Sequence, residues 1–247
     1  MRTAIPVVVA LVLVAPGSAH AGRTFYGWLY GTEVMPERGV EITNIIDEEN
    51  GFGGAGDFDW STWNFIAEVG VTDQLTIAFP MEFVWRDSAM SEPSFSFTEY
   101  GIEARYRFVS SDPEEAPPFA PFIRAGVKRS IVQRDILIAE ADLVASTTTE
   151  SGSVHALVDI GYRGQFLGDT TRHELRPGAG VSVKVVGDLR LGAEVYASIP
   201  TANADLRYVV AGPNAAWTHG RMWLSAVFGI GVYQIETAPR AVWGIMF

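Results

Sequence analysis

Apolar residues recur at every second position through most of this chain, and that period belongs to a strand. The clearest stretch is a pair of runs across a short turn. Trp63, Phe65, Ala67, Val69 and Val71 alternate up to Thr72-Asp73-Gln74, and Leu75, Ile77, Phe79, Met81, Phe83 and Trp85 alternate away from it. A second hairpin pivots at Gly187-Asp188, with Leu175, Ala179, Val181, Val183 and Val185 before it and Leu189, Leu191, Ala193, Val195 and Ala197 after it. Tight turns between such runs predict antiparallel pairing. Eight further alternating segments, over 38–46, 96–108, 119–128, 134–145, 153–164, 206–217, 221–232 and 239–247, bring the expectation to twelve strands, with ten or fourteen as the alternative pairings. Pro80 cannot donate to a ladder and predicts a local bulge, and Gly212-Pro213 interrupts the tenth run.

Alternation alone does not say which face is wet, because a soluble barrel alternates as well. Here the apolar faces carry no Asp, Glu, Lys or Arg, while the opposite faces collect charges of both signs together with glycine. A lipid-facing Arg or Lys costs about 2 to 4 kcal/mol at the bilayer midplane, so this segregation predicts an all-β, closed antiparallel transmembrane barrel with a polar lumen. The expected lumen-lining residues are Glu68, Glu82, Glu99, Glu103, Arg105, Arg107, Arg124, Lys128, Glu140, Asp142, His155, Asp159, Arg163, Arg176, Lys184, Arg190 and Glu194. Aromatics near strand ends (Trp60, Trp63, Trp85, Tyr106, Phe108, Tyr162 and Trp217) fit an interfacial girdle. The glycines on the charged face read as room for long polar side chains.

The final run alternates Ala241, Trp243, Ile245 and Phe247 against Val242, Gly244 and Met246. Trp243, Ile245 and the terminal Phe247 read as the signal by which outer-membrane assembly machinery takes up the closing strand. That strand must pair with the first to remove the sheet edges. With this end in the periplasm, even-numbered connections should be short, although 110–118 runs long for its side and 129–133 short for the other. Odd-numbered ones, including 47–60, 86–95, 165–172 and 200–205, should be long surface loops.

Composition narrows the setting. Arg2, the apolar run Ile5 to Ala15 and the small-residue site Ala19-His20-Ala21 read as a signal peptide over 1–21, too short to span a bilayer as a helix. A segment 22–36, rich in aromatics, would spoil the parity as a strand and is placed in the periplasm or folded into the lumen; the barrel occupies 37–247. Among 247 residues there is no cysteine, which removes disulfides, thiolate metal sites and lipid anchoring. A formal charge of −11 argues against nucleic acid as a partner. The acidic run Asp47-Glu48-Glu49 reads as solvated loop, and Asp57 with Asp59 lacks the ligand ladder of a calcium site, so no metal or cofactor is expected. Ser153 and His155 share a face and are the nearest approach to a hydrolase pair, but a histidine in a polar lumen network is the stronger reading, and no enzyme is expected.

The segments Pro36-Glu37-Arg38-Gly39-Val40-Glu41, Glu68-Val69-Gly70-Val71-Thr72-Asp73-Gln74-Leu75 and Gly212-Pro213-Asn214, with the terminal Phe247, resemble the outer-membrane transporters labelled after the meta-pathway of phenol degradation. The resemblance spans most of the chain in order and implies a barrel that takes up small molecules. Its motifs mark turns and strand starts, not chemistry. The function expected from the sequence is therefore passive passage of small solutes through the outer membrane. The alternatives are a closed barrel with a structural or surface-interaction role and, third, a lipid-modifying hydrolase. The partners expected are the bilayer, the assembly machinery and an unidentified small solute. The inward charges read either as ion pairs that fill the lumen or as opposed acidic and basic ladders across a pore.

Overall fold

Alternating runs joined by tight turns leave each strand hydrogen-bonded to its sequence neighbour, and closure then needs only the first and last strands to meet. A computed structural model of the protein describes residues 24–51, 58–88, 91–110, 117–168, 170–202 and 204–247. The segment expected as a signal peptide, and Asp57, lie outside these residues, and the side chains of Asp59 and Trp60 are likewise not described. Among the described residues there are twelve strands: β1 (Val40–Glu49), β2 (Phe58–Thr72), β3 (Leu75–Ser88), β4 (Ser91–Arg107), β5 (Phe119–Ser130), β6 (Ile136–Thr148), β7 (Val154–Leu167), β8 (Thr170–Val186), β9 (Leu189–Pro200), β10 (Tyr208–His219), β11 (Met222–Tyr233) and β12 (Thr237–Met246). They form a closed antiparallel barrel in which β1 pairs with β12, in register from Glu41 opposite Met246 to Asp47 opposite Arg240.

The two faces separate as the alternation requires. Leu143, Val158, Ile160, Phe228 and Ile230 are each more than half exposed on the outside, and Trp243 and Ile245 also face outward while Val242 and Met246 are buried within. Trp63, Trp85, Tyr106, Phe108 and Trp217 are exposed on the outer face. Tyr162 is half-buried instead, with its hydroxyl 2.7 Å from His173 Nδ1.

Two expectations about connections fail. Strands β3 and β4 run on to Ser88 and Ser91, and β7 and β8 to Leu167 and Thr170, so the long loops expected at 86–95 and 165–172 are extended hairpins. The alternation is invisible there because polar residues such as Thr170 and Thr171 stand on both faces once the strand has left the apolar band. A span of the hydrocarbon core takes about 9 to 11 residues. The 17-residue β4 and β8 therefore overhang the bilayer.

The prolines act on one side of their strands only. Pro80 remains opposite Ile66 of β2, but β3 and β4 pair at Ala78–Glu103 and resume only at Met81–Tyr100, with a register shift after Glu82. Pro213 likewise keeps its place opposite Ala193 of β9, while the ladder to β11 skips from Ala211 to Asn214.

Candidate functional site: the barrel interior

Residues 24–36 enter the barrel as a looped plug. A chain rich in Phe25, Tyr26, Trp28, Leu29 and Tyr30 has to bury those rings, and the wall offers an apolar band of Phe122, Val144, Leu157, Tyr196, Val210 and Val227 at inward positions. Tyr26, Trp28, Leu29 and Val34 are buried in this band, and Trp28 stacks on Tyr196 at 4.9 Å. The space comes from glycine. A Cβ on Gly178 would overlap the Leu29 side chain, and one on Gly180 would overlap the Tyr26 ring. Some lumenal glycines do make room for polar groups, as Gly101 does for Lys128, but these two accommodate the plug.

The wall satisfies the plug's backbone. Glu194 accepts from the N–H groups of Gly27 and Trp28, both at 2.8 Å, and Asp159 accepts from that of Tyr30 at 3.2 Å. Trp28 Nε1 donates to the carbonyl of Ala238 at 3.1 Å, Thr32 pairs with Ser146 at 2.6 Å, and the N–H of Met35 donates to Thr76 Oγ1 at 2.8 Å. Three wall arginines rest on plug rings: Arg124 on Tyr30 (4.2 Å), Arg190 on Phe25 (4.3 Å) and Arg240 on Trp28 (4.9 Å). Each such contact contributes about 0.5 to 2 kcal/mol, more when dry. The plug then leaves through the turn Pro36–Gly39, where Arg38 has φ 65° and donates its N–H to Gly70 O, and Gly70 N–H donates to Gly39 O. A Cβ on Gly70 would overlap the Pro36 carbonyl oxygen, which explains why the segments Pro36–Glu41 and Glu68–Leu75 belong together.

Most of the inward charges form an ion-pair network, and Arg176 with Glu174 stands as a separate pair. Arg105 binds Glu68 (2.6 Å) and Glu103 (2.5 Å); Arg124 binds Glu103, Glu140 and Asp142 (2.8, 2.6 and 2.5 Å); Lys128 binds Glu140 (2.9 Å). Arg163 binds Glu99 (2.5 Å), and Arg176 binds Glu174 (2.7 Å). Acids and bases therefore interleave along the wall from β2 to β8 in contact pairs; they do not stand as opposed ladders across an open pore. Buried charges demand this, since an unpaired one costs several kcal/mol.

The remaining expected lumen residues take varied places. Glu82 accepts from Thr98 Oγ1 at 3.0 Å, and Arg190 donates to Ser182 Oγ at 3.1 Å and to the carbonyls of Gly152 and Ser153. Arg107 and Glu33 face one another electrostatically, and burial pushes the Glu33 carboxyl up to about 7, with Arg107 opposing. Lys184 has lumenal parity but is exposed beside the Gly187–Asp188 turn, because the barrel wall ends there. His155 sits with Nδ1 2.9 Å from the Tyr26 hydroxyl, whereas Ser153 Oγ faces Ser151 Oγ at 2.6 Å, so the two are not brought together as a nucleophile and base.

Several interior residues escape the sequence reading. Glu41, Asp47 and Asn214 are buried, and Glu174 and Arg240 also line the interior. The sequence places Asp47 in a solvated loop, yet it continues the inward set Glu41, Thr43, Ile45 of β1 at period two. Extending each strand's parity by one or two positions finds it.

Cavities lie on both sides of the plug. A vestibule of about 480 Å³ lies on the loop side, lined by Asp47, Glu49, Tyr196, Tyr208, Arg163, Arg176 and others, with Trp28 and Arg240 also on its lining. A smaller cavity of about 60 Å³ lies on the turn side, against Thr43, Glu68 and Glu33. Trp28, Tyr30 and Arg240 line both.

No protein-family model matches the chain, and no curated protein does. Solved structures match its fold. An outer membrane channel from Pseudomonas putida F1 superposes with a TM-score of 0.60 at 10% identity, covering 95% of this chain and 100% of that one. The beta domain of the Bordetella autotransporter BrkA gives 0.56 at 9% identity over 85% and 100%. The KdgM porin gives 0.52 at 10% identity over 84% and 99%. The chain thus has the fold of the outer-membrane β-barrels, shared by channels and an autotransporter alike.

Proposed function

We propose that the protein is an outer-membrane channel for passive passage of small solutes, delivered by a signal peptide and inserted by the assembly machinery. The observation that carries this reading is the polar vestibule of about 480 Å³ inside a closed sheet whose outer face is apolar. That volume lies in the range of small-molecule sites. The finer likeness to transporters labelled after phenol degradation is compatible with it, and the aromatic lining of the vestibule supports an organic solute. Catalysis is not part of the proposal, since Ser153 and His155 turn to different partners.

One observation favours the second reading, a closed barrel with a structural or surface role: the plug is bonded to the wall along its whole described length. Planar-bilayer recording with a liposome-swelling assay separates the two. Stepwise conductance is expected. Silence of both the wild-type barrel and a barrel with the plug contacts weakened by Glu194→Gln would leave the closed-barrel reading standing instead.

A further inference from the structure

Of the cations on the vestibule lining, Arg124, Lys128, Arg163 and Arg176 each have a carboxylate at ion-pair distance. Among the described residues Arg240 has none, although it is directly opposite Asp47 across the β1–β12 ladder and both face inward. Its guanidinium turns instead onto Trp28, 4.9 Å from the ring centroid, and its Nε is buried without a hydrogen-bond partner. The cation–π contact fixes the side chain without using its N–H donors. It also holds the group at the floor of the vestibule, where that cavity meets the smaller one beneath. Alongside its charged residues the vestibule lining carries aromatic and aliphatic ones, Trp28, Tyr196, Tyr208, Leu206 and Pro80.

A fixed guanidinium with spare donors takes a carboxylate, often bidentately. The aromatic and aliphatic part of the lining rewards a ligand that also carries an apolar body, and a cavity of this size accepts one small organic molecule. The geometry points to Arg240 as the anion-binding residue of a vestibule site for small organic monocarboxylates. This rests on the vestibule being the solute path for its function, but the site itself can be measured without transport.

The test is calorimetric titration of the folded, detergent-solubilised barrel with sodium hexanoate, using sodium acetate and hexylammonium chloride as controls. Hexanoate should bind saturably, acetate more weakly for want of an apolar body, and hexylammonium not at all. Arg240→Gln should weaken hexanoate about tenfold or more, the loss expected for one charge-assisted hydrogen bond. Asp47→Asn should strengthen it by removing the nearby negative charge, and serves if Arg240→Gln does not fold by heat-dependent gel mobility. Equal hexanoate binding to wild type and folded Arg240→Gln, or its absence from the wild type, overturns the assignment, as does a preference for hexylammonium. Binding without any bilayer conductance would keep the site and sink the channel; conductance without binding would do the reverse.

Discussion

Glu194 holds two plug N–H groups at once, and Glu194→Gln tests whether the plug is held as described. Its two carboxylate oxygens take the N–H groups of Gly27 and Trp28 separately, each at 2.8 Å, in a buried site. Glutamine supplies one oxygen and sets an NH₂ donor against the other backbone donor. The substitution therefore loses one charge-assisted bond and strands an N–H, about 2 kcal/mol at the middle of the usual range. That raises the undocked population about thirtyfold. The chain has no cysteine, so Thr32→Cys gives one label site, beside Ser146 inside the barrel. Maleimide should reach it only when the plug lifts, so the labelling rate follows the undocked population. The rate should rise about thirtyfold in the double variant relative to Thr32→Cys alone. An unchanged rate in a barrel that still shows folded gel mobility would refute the claim that Glu194 holds the plug.

Leu143→Arg, on the outer face of β6, should cost about 2 to 4 kcal/mol of folding stability in lipid vesicles and little in a setting without a bilayer midplane, read by urea titration. Gly70→Ala drives a methyl into the Pro36 carbonyl oxygen and should lower the thermal midpoint of gel-mobility loss, whereas Gly152→Ala, with open space around it, should be felt only through its φ of 68°. Arg124→Met leaves Asp142 without its partner and should cost about 3 to 5 kcal/mol, part of which Asp142→Asn restores in the double variant. The Glu33 carboxyl ordinarily titrates near 4.5 and is raised to about 7 in the docked plug, so the docked state holds the extra proton. Docking should be strongest below about 4.5 and weaken as pH rises through about 7, read by maleimide labelling of the Thr32→Cys variant, and Glu33→Gln should flatten that part of the profile despite the opposing charges of Arg107 and Arg190.

Most of the fold was legible because lipid enforces one rule at every outward position. Leu224, Phe228 and Ile230 on β11 could not be anything but apolar, so period two survives along the strand. The same rule says nothing beyond the bilayer, which is why the outer parts of β3, β4, β7 and β8 read as loops. Inside, parity located charges such as Glu103, Arg124 and Glu140, but not which acid meets which base, because Arg163 reaches Glu99 three strands away. The sequence left the plug segment between the periplasm and the lumen for a different reason. Its segment has no period, and its seat is visible only as apolar residues, Val144, Leu157 and Val210, at inward positions where polar ones were expected.

That seat divides the interior. The ion pairs follow β2 to β8, while the aromatic and aliphatic seat is heaviest on β9 to β12, where Tyr196, Tyr208, Val210, Val227 and Ala238 stand. A cavity of about 60 Å³ below the plug has room for about two waters and for no solute that fills the vestibule. Passage of such a solute therefore requires the plug to move. The outgoing limb is tied by backbone bonds to Gly70 and by Thr76, next to the turn that leads into β1. The incoming limb holds through Tyr26, Glu194 and three arginine–ring contacts, all of them side-chain interactions that can exchange partners. Motion should begin at the incoming limb and pivot on Pro36–Gly39. Cross-linking Thr32→Cys to Ser146→Cys, whose hydroxyl oxygens lie 2.6 Å apart, should then abolish conductance, whereas cross-linking Met35→Cys to Thr76→Cys should leave it intact; equal inhibition by both would rule out this pivot.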